Sequence, residues 1–203
     1  MQAYGIYQDI RNSSWQCLID CGIDNLPIDI LKITRHHGIH VIKNSCVNVL
    51  NKNEKGRSYF SGTDWHVVYD DSCPTQISRF TVAHELGHIF LKHELKLLEY
   101  GHMRSINPKP LSEEQADKFA VRLLCPACVL WGLDLHTAEE IARHCRVDMS
   151  IAEKRARRMK TLYGRGKFLT SPLEHELYQQ FLPYIKRSIY TQNSACTEKQ
   201  LQP

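Results

Sequence analysis

The chain has 203 residues, 42% hydrophobic and 24% charged, with a formal net charge of +4, which describes an ordinary protein of one domain with room for a small appendage. It opens without a basic segment followed by an apolar run and nowhere approaches ~18 consecutive apolar residues, so neither secretion nor membrane insertion is indicated and a cytoplasmic setting is expected. The eight cysteines are scattered through a chain with no export signal, and are therefore expected as reduced thiols rather than a disulfide framework. Residues 1–24 read as an irregular start and a helix around Trp15 to Cys21 that ends at Gly22; Cys17 and Cys21, four apart, read as buried small hydrophobes.

Residues 26–38 form a better helical pattern, with Pro27 suited to the first turn and Gly38 to the stop. Residues 39–43 alternate as a strand, and His36, His37 and His40 around them read as solvated or helix-terminal side chains. The polar stretch 44–62 has the composition of loops and edge hairpins. A second strand follows at residues 65–70. It has two open readings: a plain core strand, or a free edge that pairs with the backbone of an extended substrate. Residues 70–75 form the loop into the next helix, with Thr75 as its expected cap.

The segment Arg79-Phe80-Thr81-Val82-Ala83-His84-Glu85-Leu86-Gly87-His88 holds a complete H-E-x-x-H. With 11 His and 12 Glu in the chain, this pattern is expected by chance about 0.03 times, so accident is a poor account of it. On a helix, His84 and His88 share one face and can offer two imidazole nitrogens to one metal, while Glu85 projects beside them as a general base. Ile77, Phe80, Ala83 and Phe90 give the helix an apolar stripe, so it is expected to be packed.

A catalytic zinc takes three protein ligands and leaves one position open. Beyond a segment that starts helical and becomes a loop at residues 101–110, a second helical pattern spans residues 111–126. Ser112 reads as its cap, Pro126 as its stop, and Ala116, Phe119, Ala120, Leu123 and Leu124 as its buried stripe. Glu113 is the candidate third ligand. Asp117, one turn on, is placed to accept a hydrogen bond from the outer nitrogen of a ligating histidine. Tyr100 and His102, on the intervening loop, are candidates for stabilising an oxyanion, and the sequence does not choose between them.

Cys125-Pro-Ala-Cys128 has redox or metal spacing but lacks a βαβ context or a second C-x-x-C, so a structural role is expected. Residues 137–145 and 150–159 resemble a helix-turn-helix, capped by Thr137 and Ser150. The second of these helices is strongly basic. Arg155, Arg157 and Arg158 are its candidate nucleic-acid contacts, against the commoner reading of a solvated charged face. Residues 191–203 are polar and expected to be disordered.

These residues resemble the ImmA/IrrE metallopeptidases. That family's R-F-T-x-A-H-E-L-G-H is matched by Arg79 to His88, its trailing histidine by His93, and its E-x-x-A-[ND]-x-F-A-x-x-L-L-x-P by Glu113 to Pro126. Cys125 departs from the usual methionine, at a position expected to line the core. The resemblance covers about residues 26 to 160. It implies His84, His88 and Glu113 as zinc ligands, Glu85 as catalytic base, and a zinc endopeptidase that cleaves or inactivates a helix-turn-helix repressor encoded nearby. The expected architecture is α+β: a small sheet packed on a zincin-like H-E-x-x-H helix and a second metal-ligand helix. Residues 1–130 would form the peptidase domain, 131–190 a helical C-terminal region and 191–203 a tail. The rival reading is a DNA-binding regulator with a sensory or vestigial zinc site; a purely structural zinc is disfavoured by the retained Glu85 and the missing fourth protein ligand.

Overall fold

The computed structural model describes residues 2–93 and 111–200. Helix α1 (Gln2–Asp20) is continuous where the sequence suggests an irregular start, and it ends before Gly22, whose φ is +56°. Helix α2 (Ile30–His36) begins at Asp29, whose carboxylate accepts the Lys32 N–H at 3.0 Å; Pro27 therefore precedes the helix instead of entering its first turn. Gly38, at φ +64°, reverses the chain after it, as expected.

Strand β1 (His40–Lys43), a short helix α3 (Asn44–Val47), and strands β2 (Gly56–Phe60) and β3 (Trp65–Tyr69) follow. The three strands form one sheet in the order β1-β3-β2, parallel between β1 and β3 and antiparallel between β2 and β3. This corrects the free-edge reading of residues 65–70. Both edges of β3 are paired and Val67 and Val68 are fully buried, so β3 is a core strand and β2 carries an outer edge beside the next helix.

Helix α4 (Thr75–Phe90) carries the H-E-x-x-H motif and packs on β2, β3 and, most extensively, α5 (Leu111–Leu124). Pro74 stands at its cap position and Thr75 makes no capping bond, contrary to expectation. Arg79 ties α4 to the chain before α2 by donating to the Ile28 carbonyl at 2.9 Å. Ser112 lies one residue inside α5, and Pro126 precedes α6 (Ala127–Gly132).

The expected helical pair is present as α7 (Ala138–Cys145) and α8 (Met149–Gly164). Thr137 and Glu140 form a full capping box on α7. Asp148, not Ser150, caps α8, accepting the Ser150 N–H at 2.9 Å. Helix α9 (Pro172–Gln200) continues through residues 191–200, where composition suggests a disordered tail. One apolar cluster joins Leu18 of α1, Val67 of β3, Leu86 of α4, Phe119 of α5, Ile141 of α7 and Phe181 of α9, so the core is continuous across residue 130.

The position that sets the site is Gly87. A Cβ there would lie 3.0 Å from the Ala116 Cα and 3.1 Å from its carbonyl oxygen, so α4 and α5 touch backbone to backbone. Gly87→Ala would gain about 1 kcal/mol of helix propensity, but backbone atoms cannot step aside and overpacking costs about 1–3 kcal/mol. A net loss of stability is expected in urea unfolding, together with weaker metal retention as the helices separate.

Candidate active site

The α4–α5 contact aims three side chains at one point. His84 Nε2 and His88 Nε2 are 3.0 Å apart, Glu113 Oε2 is 3.3 Å from the first, and Glu113 Oε1 is 3.4 Å from the second. Two ligands held about 2.0–2.1 Å from one tetrahedral ion lie about 3.3 Å apart, so these donors fit a single metal without rearrangement. Two imidazoles and a carboxylate leave a fourth direction open. A closed structural site would require a further protein ligand, and no fourth protein ligand joins the group among the described residues.

The outer nitrogens of the two histidines are held differently. His84 donates from Nδ1 to Asp117 Oδ1 at 2.8 Å, the contact expected from the Glu113/Asp117 spacing. His88 Nδ1 meets His93 Nδ1 at 3.1 Å, and His93 Nε2 meets Gln115 Oε1 at 2.8 Å. The Gln115 carbonyl oxygen can only accept, so His93 carries its proton on Nε2 and accepts at Nδ1 from His88. That fixes His88 as the Nδ1–H tautomer and leaves its Nε2 lone pair facing the metal position. His93 reaches this place because α4 ends in a Schellman turn: Lys92 is left-handed at φ +53°, Lys92 N–H bonds to Ile89 O and His93 N–H to His88 O. A lysine at that position gives no glycine signal, and neither the relay nor Gln115 was read from the sequence.

Glu85 is 7% exposed and its Oε2 accepts the Ser58 hydroxyl of β2 at 2.8 Å. Ser58 was also missed. Gly56 makes room for this arrangement, since a Cβ there would collide with Thr81 Cγ2 and stand 3.4 Å from Glu85 Oε1. The acid beside the two histidines is thus held from above by the sheet and is not free to swing.

Burial lowers the His84 pKa, but hydrogen bonds to Asp117 and Glu113, with the charges of Glu85 and Asp117, outweigh it and raise the imidazole to about 9. Without metal, His84 is therefore an imidazolium at neutral pH, clamped between carboxylates.

The sequence profile of the IrrE N-terminal-like domain, peptidase family M78, matches residues 34–157. The chain belongs to this family. It is accordingly a metallopeptidase of the IrrE/ImmA kind, and the His84, His88 and Glu113 group is where its metal would sit. No curated protein matches the chain.

The other predicted site residues fall elsewhere. Arg155 is 4% exposed and faces inward, so it cannot meet a phosphate backbone; Arg158 is half-buried over the Tyr7 ring, 5.3 Å from its centroid, and only Arg157 of the three is exposed. Ile151, Arg155 and Met159 share the buried face of α8, and the inward helical period overrides the run of charge. Cys125 is fully buried and its sulfur accepts a hydrogen bond from the Cys145 thiol, in keeping with a core role. Cys17, Cys21 and His37 also bring ligand atoms within 4.8 Å of one another, and there the Cys17 thiol is satisfied by donating to Cys21. Tyr100 and His102 lie outside the described residues. No helix among the described residues is long and apolar enough to cross a membrane.

Metal must displace the His84 proton, so affinity should rise about tenfold per pH unit up to about 9, with close to one proton released per metal bound at pH 7. Stability of the metal-free protein should run the other way. A raised folded pKa stabilises below the unfolded value of about 6.5, and that contribution is lost as pH climbs to about 9. Calorimetric metal titrations in buffers of different ionisation enthalpy measure the first, and urea unfolding across pH the second. Gln115→Met should weaken metal binding by about 10- to 100-fold, because His93 loses the acceptor that fixes its tautomer.

Proposed function

We propose that the chain is a zinc-dependent endopeptidase acting in the cytoplasm, with His84, His88 and Glu113 as ligands and Glu85 as catalytic base. The observation that carries this is the convergence of three ligand atoms on one point, with a sheet-anchored glutamate on the adjacent helical position. Two imidazoles and one carboxylate with an open position form a donor set that suits zinc. When bound, zinc supplies a Lewis acid that polarises a carbonyl and brings water to a pKa of about 7. The Ser58 hydroxyl, donating to Glu85 Oε2, orients the carboxylate that would take a proton from the attacking water. The protonated Glu85 can then deliver that proton to the departing amine. Asp117 and the His93–Gln115 relay hold the two imidazoles so that only Nε2 faces the metal. The outer edge of β2 has no neighbouring strand among the described residues and would receive an extended peptide, taking the role the sequence suggested for β3.

Family membership supports a helix-turn-helix repressor as the substrate, cleaved or inactivated to release genes of a mobile element or a stress response. Burial of Arg155 weakens the rival reading of a DNA-binding regulator, since it removes the centre of the proposed phosphate contact.

Purified protein should hold about one zinc per chain by elemental analysis, and His84→Ala, His88→Ala or Glu113→Ala should each abolish tight binding. Glu114→Ala should not, because Glu114 points away to pair with Lys118 at 2.6 Å. Glu85→Gln keeps the shape without the base, so zinc should be retained while cleavage of a cognate repressor falls by about 10²- to 10⁴-fold. Derepression in cells by Glu85→Gln at the wild-type level would show that the protein acts by binding, not by proteolysis.

A further inference from the structure

Away from the metal group, α1, α5, α8 and the start of α9 enclose a cavity of about 330 Å³. Its lining is strongly cationic: Arg11, Arg122, Arg155, Arg158, Arg165 and Lys167 stand against one carboxylate, Glu174, among the described residues. Glu174 is itself occupied, accepting the Thr170 N–H at 2.9 Å. Arg155 is 4% and Arg122 7% exposed, and the Nε atoms of Arg155 and Arg158 are buried without a hydrogen-bond partner. No ion pair neutralises Arg11, Arg122, Arg155 or Arg158 among the described residues. Buried guanidiniums cost heavily unless paired, so a fold that gathers several around one space leaves a counter-charge to be supplied from outside.

The aromatic rings here hold the arginines in place. The Arg122 guanidinium lies 4.3 Å from the Tyr7 centroid with Arg158 also over that ring, and Arg11 lies 4.8 Å from that of Trp15. These rings are engaged with cations, which argues against stacking of a nucleobase and for recognition of charge alone. Guanidinium forks match phosphate oxygens in geometry, and six cations against one occupied carboxylate call for several negative charges in a small volume. The innermost arginines are too enclosed for a duplex backbone to reach.

We propose that this cavity binds a small soluble anion carrying several linked phosphate groups, gripped by Arg122, Arg155 and Arg158, with Arg165 and Lys167 at the mouth. The site is independent of the peptidase chemistry, although Arg122 belongs to the helix that carries Glu113 and Asp117. Burial raises the Tyr7 phenol pKa, but the charge of Arg122, its hydrogen bond to the phenol, and the charges of Arg158 and Arg155 lower it on balance.

The test is thermal unfolding of the full metal-loaded chain at constant ionic strength with sulfate, orthophosphate, tripolyphosphate or ATP. At about 100 times Kd, tripolyphosphate should raise Tm by about 5–10 °C, ATP should act through the same phosphates, and sulfate should do little. Arg158→Gln should keep the fold and weaken tripolyphosphate binding at least tenfold. Any chelation of the metal is the same in both proteins, so their difference reads the cavity alone. Arg155→Met should abolish the shift and raise the ligand-free Tm, because an unpaired buried charge has been removed. If Arg155→Met does not fold, Arg158→Gln alone decides. Absence of a tripolyphosphate shift in the wild type, an undiminished shift in Arg158→Gln, or a shift given by a short DNA duplex and by none of the small phosphates would each overturn the proposal.

Discussion

The backbone contact between Gly87 and Ala116 is the constraint on which the active site rests. Helices whose larger side chains interleave stand about 8–10 Å apart axis to axis, and a glutamate from one then has to reach across to histidines on the other. Here a glycine on α4 meets an alanine on α5, with Ala83 and Ala120 buried nearby, so the helices close until their backbones touch. Glu113 therefore arrives at both Nε2 atoms within 3.4 Å with its carboxylate bridging them. The glycine inside H-E-x-x-H is thus a packing residue, and the metal-binding distances follow from that packing.

A second level of order comes from the unequal treatment of the two histidines. His84 leans on a carboxylate, which gives charge as well as orientation and raises its pKa to about 9. His88 leans on a neutral relay that ends in an amide oxygen, which gives orientation alone. With the carboxyl groups of Glu113, Glu85 and Asp117 already gathered at the site, a further carboxylate behind His88 would add repulsion without adding alignment. The asymmetry keeps the site acidic enough to attract a dication without making every imidazole compete for a proton.

What could be read from the sequence follows the range of the interactions. The H-E-x-x-H helix and the pairing of Glu113 with Asp117 are set by helical spacing within one element, and the sequence carries that spacing directly. The fold class followed from the same periodicities. Ser58 and Gln115, and the role of His93, depend on how one element meets another; a serine in a polar strand and a glutamine in an acidic turn announce nothing until that meeting is known. The choice between core strand and free edge for β3 stayed open for a related reason, since strand order is not contained in strand sequence, and β1 occupies the side that would have been free. Arg155 was open to a better reading. It stands one turn from Ile151 and one from Met159, on the inward stripe of α8, and that periodicity is present in the sequence beneath the density of charge around it.

The inward arginines and the metal group meet in α5. Its N-terminal turns carry Glu113 and Asp117, its middle is pinned to α4 at Ala116, and toward its C-terminus Arg122 donates to the Lys118 carbonyl at 2.7 Å while its guanidinium lies over Tyr7 of α1. A helix fixed at its middle by backbone contact has little freedom to bend there, and its ends move together or not at all. Beyond the larger effect of burial, Arg158 of α8 lowers the Arg122 pKa and Arg122 of α5 lowers that of Arg155, a like-charge repulsion acting between the two helices. Among the described residues, α5 carries both Glu113 of the metal group and Arg122 of the cationic cavity, and the same rigidity that presents Glu113 to the histidines holds Arg122 over Tyr7.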